Sequence, residues 1–324
     1  MKKILVTFSL IFVMLGVVAC SNDTTTTTAT TTTTSTAASF DQTKNITVYT
    51  RDTTSGTREA FFKGIGFDEA TGDNTVLVSS YVEVDGNGSM ITSVTNDVFG
   101  IGYISLASLS DTTLIGLNFE GVVASKANVL NGTYGLQRPF NYMVRLDWTG
   151  METEHQIVNA FVAYMSTVDG KATISNKHGI LETSTTDKLW DEIKSNYEVC
   201  SLDNSAVTIN FGGSTSVESI AKALSAEFST KCGNFIAEHN HTGSGDAYLR
   251  VQGTESMGAN KLHIGFASRD FKSSEAAAEG TTGRICLDAV VVVVNANNPL
   301  LSNLTASDLK KIFGGETTIW SQLG

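Results

Sequence analysis

The chain has 324 residues, with 33 acidic against 22 basic side chains and a formal net charge of −11. That length carries one or two domains with ample core, and the acidic balance argues against nucleic acid as a partner. An anionic small ligand stays open, because local dipoles and hydrogen bonds rather than net charge govern a buried site.

The N-terminus, Met1-Lys-Lys-Ile-Leu-Val-Thr-Phe-Ser-Leu-Ile-Phe-Val-Met-Leu-Gly-Val-Val-Ala-Cys20, combines two lysines, an apolar run and a small-residue site, the pattern of a secretory signal. The run falls short of the about 20 residues a membrane span needs. Val17-Val-Ala-Cys20 resembles a bacterial lipobox. On that reading residues 1–19 are a signal peptide, and Cys20 is the lipidated first residue of a protein tethered to the outer face of the cell membrane. From Cys20 to Asn45 the chain is almost entirely Thr, Ala and Ser. It has too little apolar surface to offset the entropy of ordering, so 20–45 is expected to be a flexible stalk.

Strand-like and helix-like segments then alternate, the pattern of an α/β fold. Ile46–Thr50 predicts a strand, Thr57–Gly66 a helix, Val76–Val84 an extended run, Gly88–Thr95 a helix and Phe99–Ser105 a strand with close-approach glycines. Helical spacing returns in His155–Ser166, with Ile157, Phe161, Val162 and Met165 on one face. A polar connector, 182–206, holds a short helix at Asp187–Tyr197. Val207–Asn210 follows as a strand and Ser216–Phe228 as an amphipathic helix. His263–Phe266 and the apolar run Ala289–Val294 predict buried strands, and Thr305–Ile312 a helix capped by Thr305.

Three of the breaks carry a common chemistry. Between the first strand and helix stand Arg51 and Ser55-Gly56-Thr57; Gly213-Ser214-Thr215-Ser216 and Thr242-Gly243-Ser244-Gly245 occupy similar places downstream. A helix start presents unpaired N–H groups and the positive end of a dipole, Gly lets the backbone approach, and hydroxyls with a guanidinium fork complete a cradle for a tetrahedral oxyanion. Each loop alone is explained by helix capping. Three together point to an anion clamp. In Gly265-Phe-Ala-Ser-Arg269-Asp270, a carboxylate beside such a site accepts hydrogen bonds only, and so favours a ligand that keeps a proton.

No catalytic set is legible. Ser244 lies in Thr-Gly-Ser-Gly rather than a nucleophile elbow, and there is no Walker loop or HExxH pattern. No metal site follows from Cys or His spacing; His239 and His241 share a side if on a strand, which is a weak hint set against a solvated loop. Cys200, Cys232 and Cys286 leave the disulfide connectivity open.

Together, Thr50–Phe61, Phe99–Ser105, Tyr134-Gly-Leu-Gln-Arg-Pro-Phe-Asn141, Gly213–Val217, Ile264–Arg269 and Leu309-Lys-Lys-Ile-Phe-Gly-Gly-Glu-Thr-Thr-Ile-Trp320 resemble the phosphate-binding lipoproteins of ABC phosphate importers. The order differs from the commoner one, in which the Gly-Ser-Thr-Ser segment comes first and the Arg…Ser-Gly-Thr segment follows the Trp; the chain resembles a circular permutation. The resemblance implies an α/β, two-lobed periplasmic-binding-protein-like fold with the ligand between the lobes. One lobe is expected over 46–137 plus 295–324 and the other over 138–294, with crossovers near Arg138–Tyr142 and Val290–Asn295. It implies that Arg51, Ser55, Gly56, Thr57, Ser214, Thr215, Ser216 and Ser244 contact phosphate. Where many relatives carry an Asp after the Ala-Ser pair, this chain has Arg269, which becomes a further candidate contact, with Asp270 one later. It implies a monomeric, non-enzymatic receptor without cofactor or metal, whose partners are inorganic phosphate, the ABC permease subunits and, through Cys20, the lipid bilayer. The alternatives are a receptor for another oxyanion and a surface adhesin or sensor with the same fold.

Overall fold

The computed structural model describes residues 40–323; the signal peptide, Cys20 and most of the expected stalk lie outside them. In Thr47–Arg51 (β1) alternate residues Val48 and Thr50 are buried, as the period of a strand requires. Helix α1 (Gly56–Gly64) follows, then β2 (Val82–Val84), α2 (Asn87–Asn96) and β3 (Gly100–Ser105). β1 lies between β2 and β3 and runs parallel to both. The middle of the chain supplies β4 (Gln137–Val144), α3 (Glu152–Met165), β5 (Thr208–Gly213), α4 (Glu218–Lys231), β6 (Ile236–His241), α5 (Ser244–Val251) and β7 (Ile264–Ala267). A long strand, β8 (Thr282–Val294), and α6 (Ala306–Gly314) complete the main elements.

Among the described residues these strands form one sheet in the order β2-β1-β3-β8-β4-β7-β5-β6, with the two-residue strand Ile115–Gly116 also on β8. β8 is shared by both halves: Thr282–Ala289 pairs antiparallel with β4, and Val290–Val294 pairs antiparallel with β3. Two cores follow. One gathers Phe61, Phe62, Tyr103, Phe313 and Trp320 on the β1–β3 side, and the other Phe161, Trp190, Phe211 and Phe228 on the β5 side. α4 covers the second with Ile220, Ala221, Leu224 and Phe228, all fully buried, the spacing of one helix face. This is the two-lobed periplasmic-binding-protein architecture, with the Gly/Ser/Thr loops at the strand ends.

Three local expectations change. Only Val82–Val84 of the run 76–84 is a strand, and Asp187–Tyr197 shrinks to Trp190–Ile193 with a 3₁₀ turn at Lys194–Asn196. β4 carries Pro139, which argues against an inner strand; here the neighbour on one flank, β7, begins pairing only at Asn141. Residues 40–45 belong to the folded body rather than to a stalk. Phe40 packs on Phe99 and Trp320, and the backbone N–H groups of Trp320 and Ser321 donate to Lys44 and Gln42 carbonyls. The first and last segments of the body therefore lie side by side, which is the geometry a permuted order requires.

Cys200 and Cys232 form a disulfide and Cys286 is free and buried.

Candidate anion-binding site

The first turn of α1 sits where the two halves meet. Ser55 caps the helix, its Oγ accepting from Arg58 N at 3.3 Å. The N–H groups of Gly56 and Thr57, in the first turn, have no intrahelical acceptor by the geometry of a helix start. Gly56 faces α5: a Cβ placed on it would stand 2.3 Å from Ser244 Oγ and 2.8 Å from Ser268 Oγ. Gly245 N donates to Thr54 O at 3.2 Å, so the N-terminal end of α5 is tied to the loop before α1.

Arg51 reaches the same junction, with 1% of its surface exposed. Its Nε donates to Val84 O at 3.1 Å and its Nη2 to Asp85 O at 2.9 Å, which fixes the fork; Nη1 reaches Thr215 Oγ1 across the junction at 3.4 Å. Burial is the main influence lowering its pKa, opposed by Asp52. Tyr103 Oη accepts from Arg51 N at 3.1 Å and pairs with Thr50 Oγ1 at 2.8 Å. Burial raises that phenol's pKa, which keeps it a neutral positioning group.

Ser216 Oγ is the most heavily used atom of the junction. Asn87 Nδ2 donates to it at 2.9 Å and Arg138 Nη2 at 3.0 Å, and Thr57 Oγ1 lies 2.9 Å away. A hydroxyl has two acceptor sites and one proton, so with both acceptors filled Ser216 donates to Thr57. The Thr57 proton is thereby left for a ligand. Asn87 is held in this sense because its Oδ1 accepts from Ser105 N at 3.1 Å. Ser214 Oγ accepts from Ser216 N at 3.2 Å, and Ser244 Oγ accepts from Ser268 N at 3.0 Å.

The structure thus brings together Arg51, Ser55, Gly56, Thr57, Ser214, Thr215, Ser216 and Ser244. It does not bring in Arg269. That guanidinium forms a two-pronged pair with Glu275 at 2.7 Å and lies 3.1 Å from Glu59 of α1, which also holds Lys63 and Lys272. Arg269 is a strut between the halves, and Asp270 is exposed with its Oδ1 accepting from Asn141. Residues the motifs did not single out, Asn87, Arg138, Ser268 and Asp288, take their place. Arg138 and Asp288 are register partners on β4 and β8. A signal existed, since each is a charge inside a run that otherwise predicts burial, and buried charges come paired.

His239 and His241 do share one side of β6, and their ring nitrogens are 3.1 Å apart. His241 Nδ1 donates to Ser214 O at 3.1 Å, so its Nε2 accepts from His239. Burial pushes both pKa values down to about 4. The pair buttresses the Ser214 loop as neutral rings, and among the described residues no three potential metal ligands cluster.

A family model described as a PBP superfamily domain matches residues 200–324. The chain is 26% identical to the phosphate-binding protein PstS 2 of Streptococcus pneumoniae serotype 4, over 99% of each chain. It is 27% identical to the protein of the same name from Streptococcus agalactiae serotype V, over 86% of this chain and 87% of that one. Among solved structures it is similar to a phosphate-binding protein of a phosphate ABC transporter from S. pneumoniae, with TM-score 0.59 and 24% identity, covering 86% of this chain and all of that one. The resemblance drawn from the motifs stands in both fold and relatives. Because the first match runs in one order from end to end of both chains, the order of segments here is shared with that relative rather than peculiar to this chain.

Proposed function

We propose that this two-lobed binding protein captures inorganic phosphate between its lobes and presents it to an ABC permease, acting by binding and not by turnover. The observation that carries the reading is the convergence of three loops on one buried junction. The start of α1, the 214–216 loop and the start of α5 bring hydroxyls, unpaired N–H groups and the Arg51 fork together at one junction. Charge-assisted bonds there contribute about 1.5–3 kcal/mol each, and within its own lobe the Arg51 fork is already aimed by the Val84 and Asp85 carbonyls. The relatives named for phosphate binding support the choice of anion.

In this reading the lobes are 46–137 plus 290–324 and 138–289; the second boundary moves from the expected 294/295 to Ala289/Val290, where β8 changes partner. Closing the lobes joins Arg51 to Thr215 and Thr57 to Ser216, so ligand and closure stabilise one another. Cys20 carries lipid and holds the body at the outer face of the membrane; the lipobox-like Val17–Cys20 supports this, and mass spectrometry of the membrane-extracted protein tests it.

Calorimetry on anion-stripped protein tests the binding itself. One phosphate per chain is expected, with Arg51→Ala abolishing the heat and the remote Lys126→Ala leaving it unchanged. No heat from folded wild-type protein refutes the proposal.

A further inference from the structure

Arg138 has the least ordinary surroundings of any charged side chain at the junction. It is 3% exposed, and its Nε and Nη2 both donate to Asp288 Oδ2, at 3.0 and 2.9 Å. Nη2 also donates to Ser216 Oγ, which puts the fork at the Thr57–Ser216–Asn87 contact. Nη1 is buried with no partner. A guanidinium kept only to neutralise Asp288 would be expected to have its remaining donors satisfied, since buried polar groups are seldom left unpaired.

Asp288, fully buried, is in turn held on both oxygens: Oδ2 also accepts from Ser105 Oγ at 2.8 Å, and Oδ1 from Ala107 N at 3.1 Å. It anchors Arg138, with its Oδ2 spent on Arg138 and Ser105. Arg51 is close enough that its repulsion is among the causes lowering the Arg138 pKa, after burial itself. The two guanidinium groups reach consecutive residues of one loop, Arg51 to Thr215 Oγ1 and Arg138 to Ser216 Oγ, and Arg138 keeps an idle N–H pair.

Each carboxylate near the junction already has a partner on at least one oxygen. Asp52 Oδ1 accepts from Thr54 and its Oδ2 lies 3.5 Å from Arg51; Asp85 accepts from Ser89; Glu59 is held by Lys63, Lys272 and Arg269; Asp270 accepts from Asn141. Tyr103 is neutral and pairs with Thr50 and Arg51 N. None of these carboxylates is hydrogen-bonded to Thr57, Ser216 or the Arg138 fork, where the idle donors stand. Donors dominate the site, and a proton on the ligand removes one acceptor oxygen and one negative charge from it.

Resting on the phosphate reading above, we infer that Arg138 is a second guanidinium ligand opposite Arg51, so that the site takes its tetrahedral oxyanion in the fully charged, dianionic form. Sulfate, a dianion at every relevant pH, then competes for the site, and phosphate binds as HPO4²⁻ rather than H2PO4⁻.

The test is calorimetry with phosphate and with sulfate on anion-stripped wild-type protein at about pH 5.5 and about pH 8, together with two variants. Phosphate affinity is expected to rise at least about tenfold from the lower to the higher pH, and sulfate to bind within about tenfold of phosphate at pH 8 without such a rise. Arg138→Met combined with Asp288→Asn removes the buried charges together, so neither is orphaned; with folding verified by its melting curve, it is expected to lose about a hundredfold in phosphate affinity. Should that variant not fold, Arg138→Lys keeps a partner for Asp288 but cannot also supply Nη1, and a loss of about tenfold is expected. Wild-type affinity in the folded variants removes Arg138 from the ligand shell. Equal phosphate binding at both pH values with no sulfate binding overturns the dianion inference while leaving the phosphate reading intact, and binding of neither anion overturns both.

Discussion

Replacing Gly56 by alanine isolates the closed arrangement from the stability of the lobes. The added Cβ would stand 2.3 Å from Ser244 Oγ, 2.8 Å from Ser268 Oγ and 2.9 Å from Ser244 Cβ. Ordinary carbon contacts need about 3.5 Å or more, so the shortfall is about 1 Å against the nearest atom. Ser244 cannot swing aside freely. It is 1% exposed, and its Oγ accepts from Ser268 N at 3.0 Å and lies 3.1 Å from Ser268 Oγ. Overpacking of this kind costs about 1–3 kcal/mol. Because the clash exists only when α1 and α5 meet, the cost falls on the closed form, and phosphate affinity should drop about 5- to 150-fold. The ligand-free protein escapes by opening, and alanine suits a helix better than glycine by about 0.5–1 kcal/mol. Calorimetry and a ligand-free melting curve, run side by side, should show weaker binding with an unchanged or higher Tm. Wild-type affinity would refute the reasoning, because the α1–α5 contact would then be absent from the bound state.

Breaking the Cys200–Cys232 disulfide by paired serine substitutions should cost about 3–4 kcal/mol, from the loop-closure entropy of a separation of 32 residues; an unchanged denaturation midpoint would contradict this. Cys286, whose thiol pKa is pushed up chiefly by burial, should resist thiol reagents in the native protein and react once unfolded. His263, depressed to about 4 from 6.5 first by burial and then by Arg145 and Lys261, accepts from Asn210 N only when neutral. The unfolded chain binds the extra proton, so that stability is present above about pH 6.5 and is lost as pH falls towards about 4, by roughly 3 kcal/mol. His263→Gln should flatten that part of the stability profile, and an unaltered slope would count against it. Arg269→Ala should weaken phosphate binding only several-fold, by removing a strut to Glu59, whereas Arg51→Ala should abolish it; equal losses would return Arg269 to the ligand shell.

The Arg51–Thr57 segment was legible because its chemistry is contiguous: strand end, hydroxyls, glycine and helix start lie within seven positions, and local rules suffice. The loops at Ser214–Ser216 and Ser244 were legible for the same reason. Arg138 and Asp288 were not, although Arg138 stands in a segment that was noticed and Asp288 directly before the run Ala289–Val294. Their pairing depends on the register of two strands 150 positions apart, which no local pattern encodes. Arg269 misled because the motif runs through Ser268 into it; alternation beyond β7 turns Ser268 to the junction and its neighbour away. Phe40 shows the limit of composition. One aromatic at the end of a Thr-rich tract docks on Phe99 and Trp320, and the folded body begins six residues before the expected boundary.

The central claim is that one oxyanion sits between the start of α1 and the 214–216 loop. Crystals grown with arsenate, whose arsenic scatters anomalously, test it most directly. The account predicts a single anomalous peak within hydrogen-bonding reach of Arg51, Thr57 and Ser216. A peak elsewhere, or none in crystals of protein that binds arsenate in solution, would contradict it.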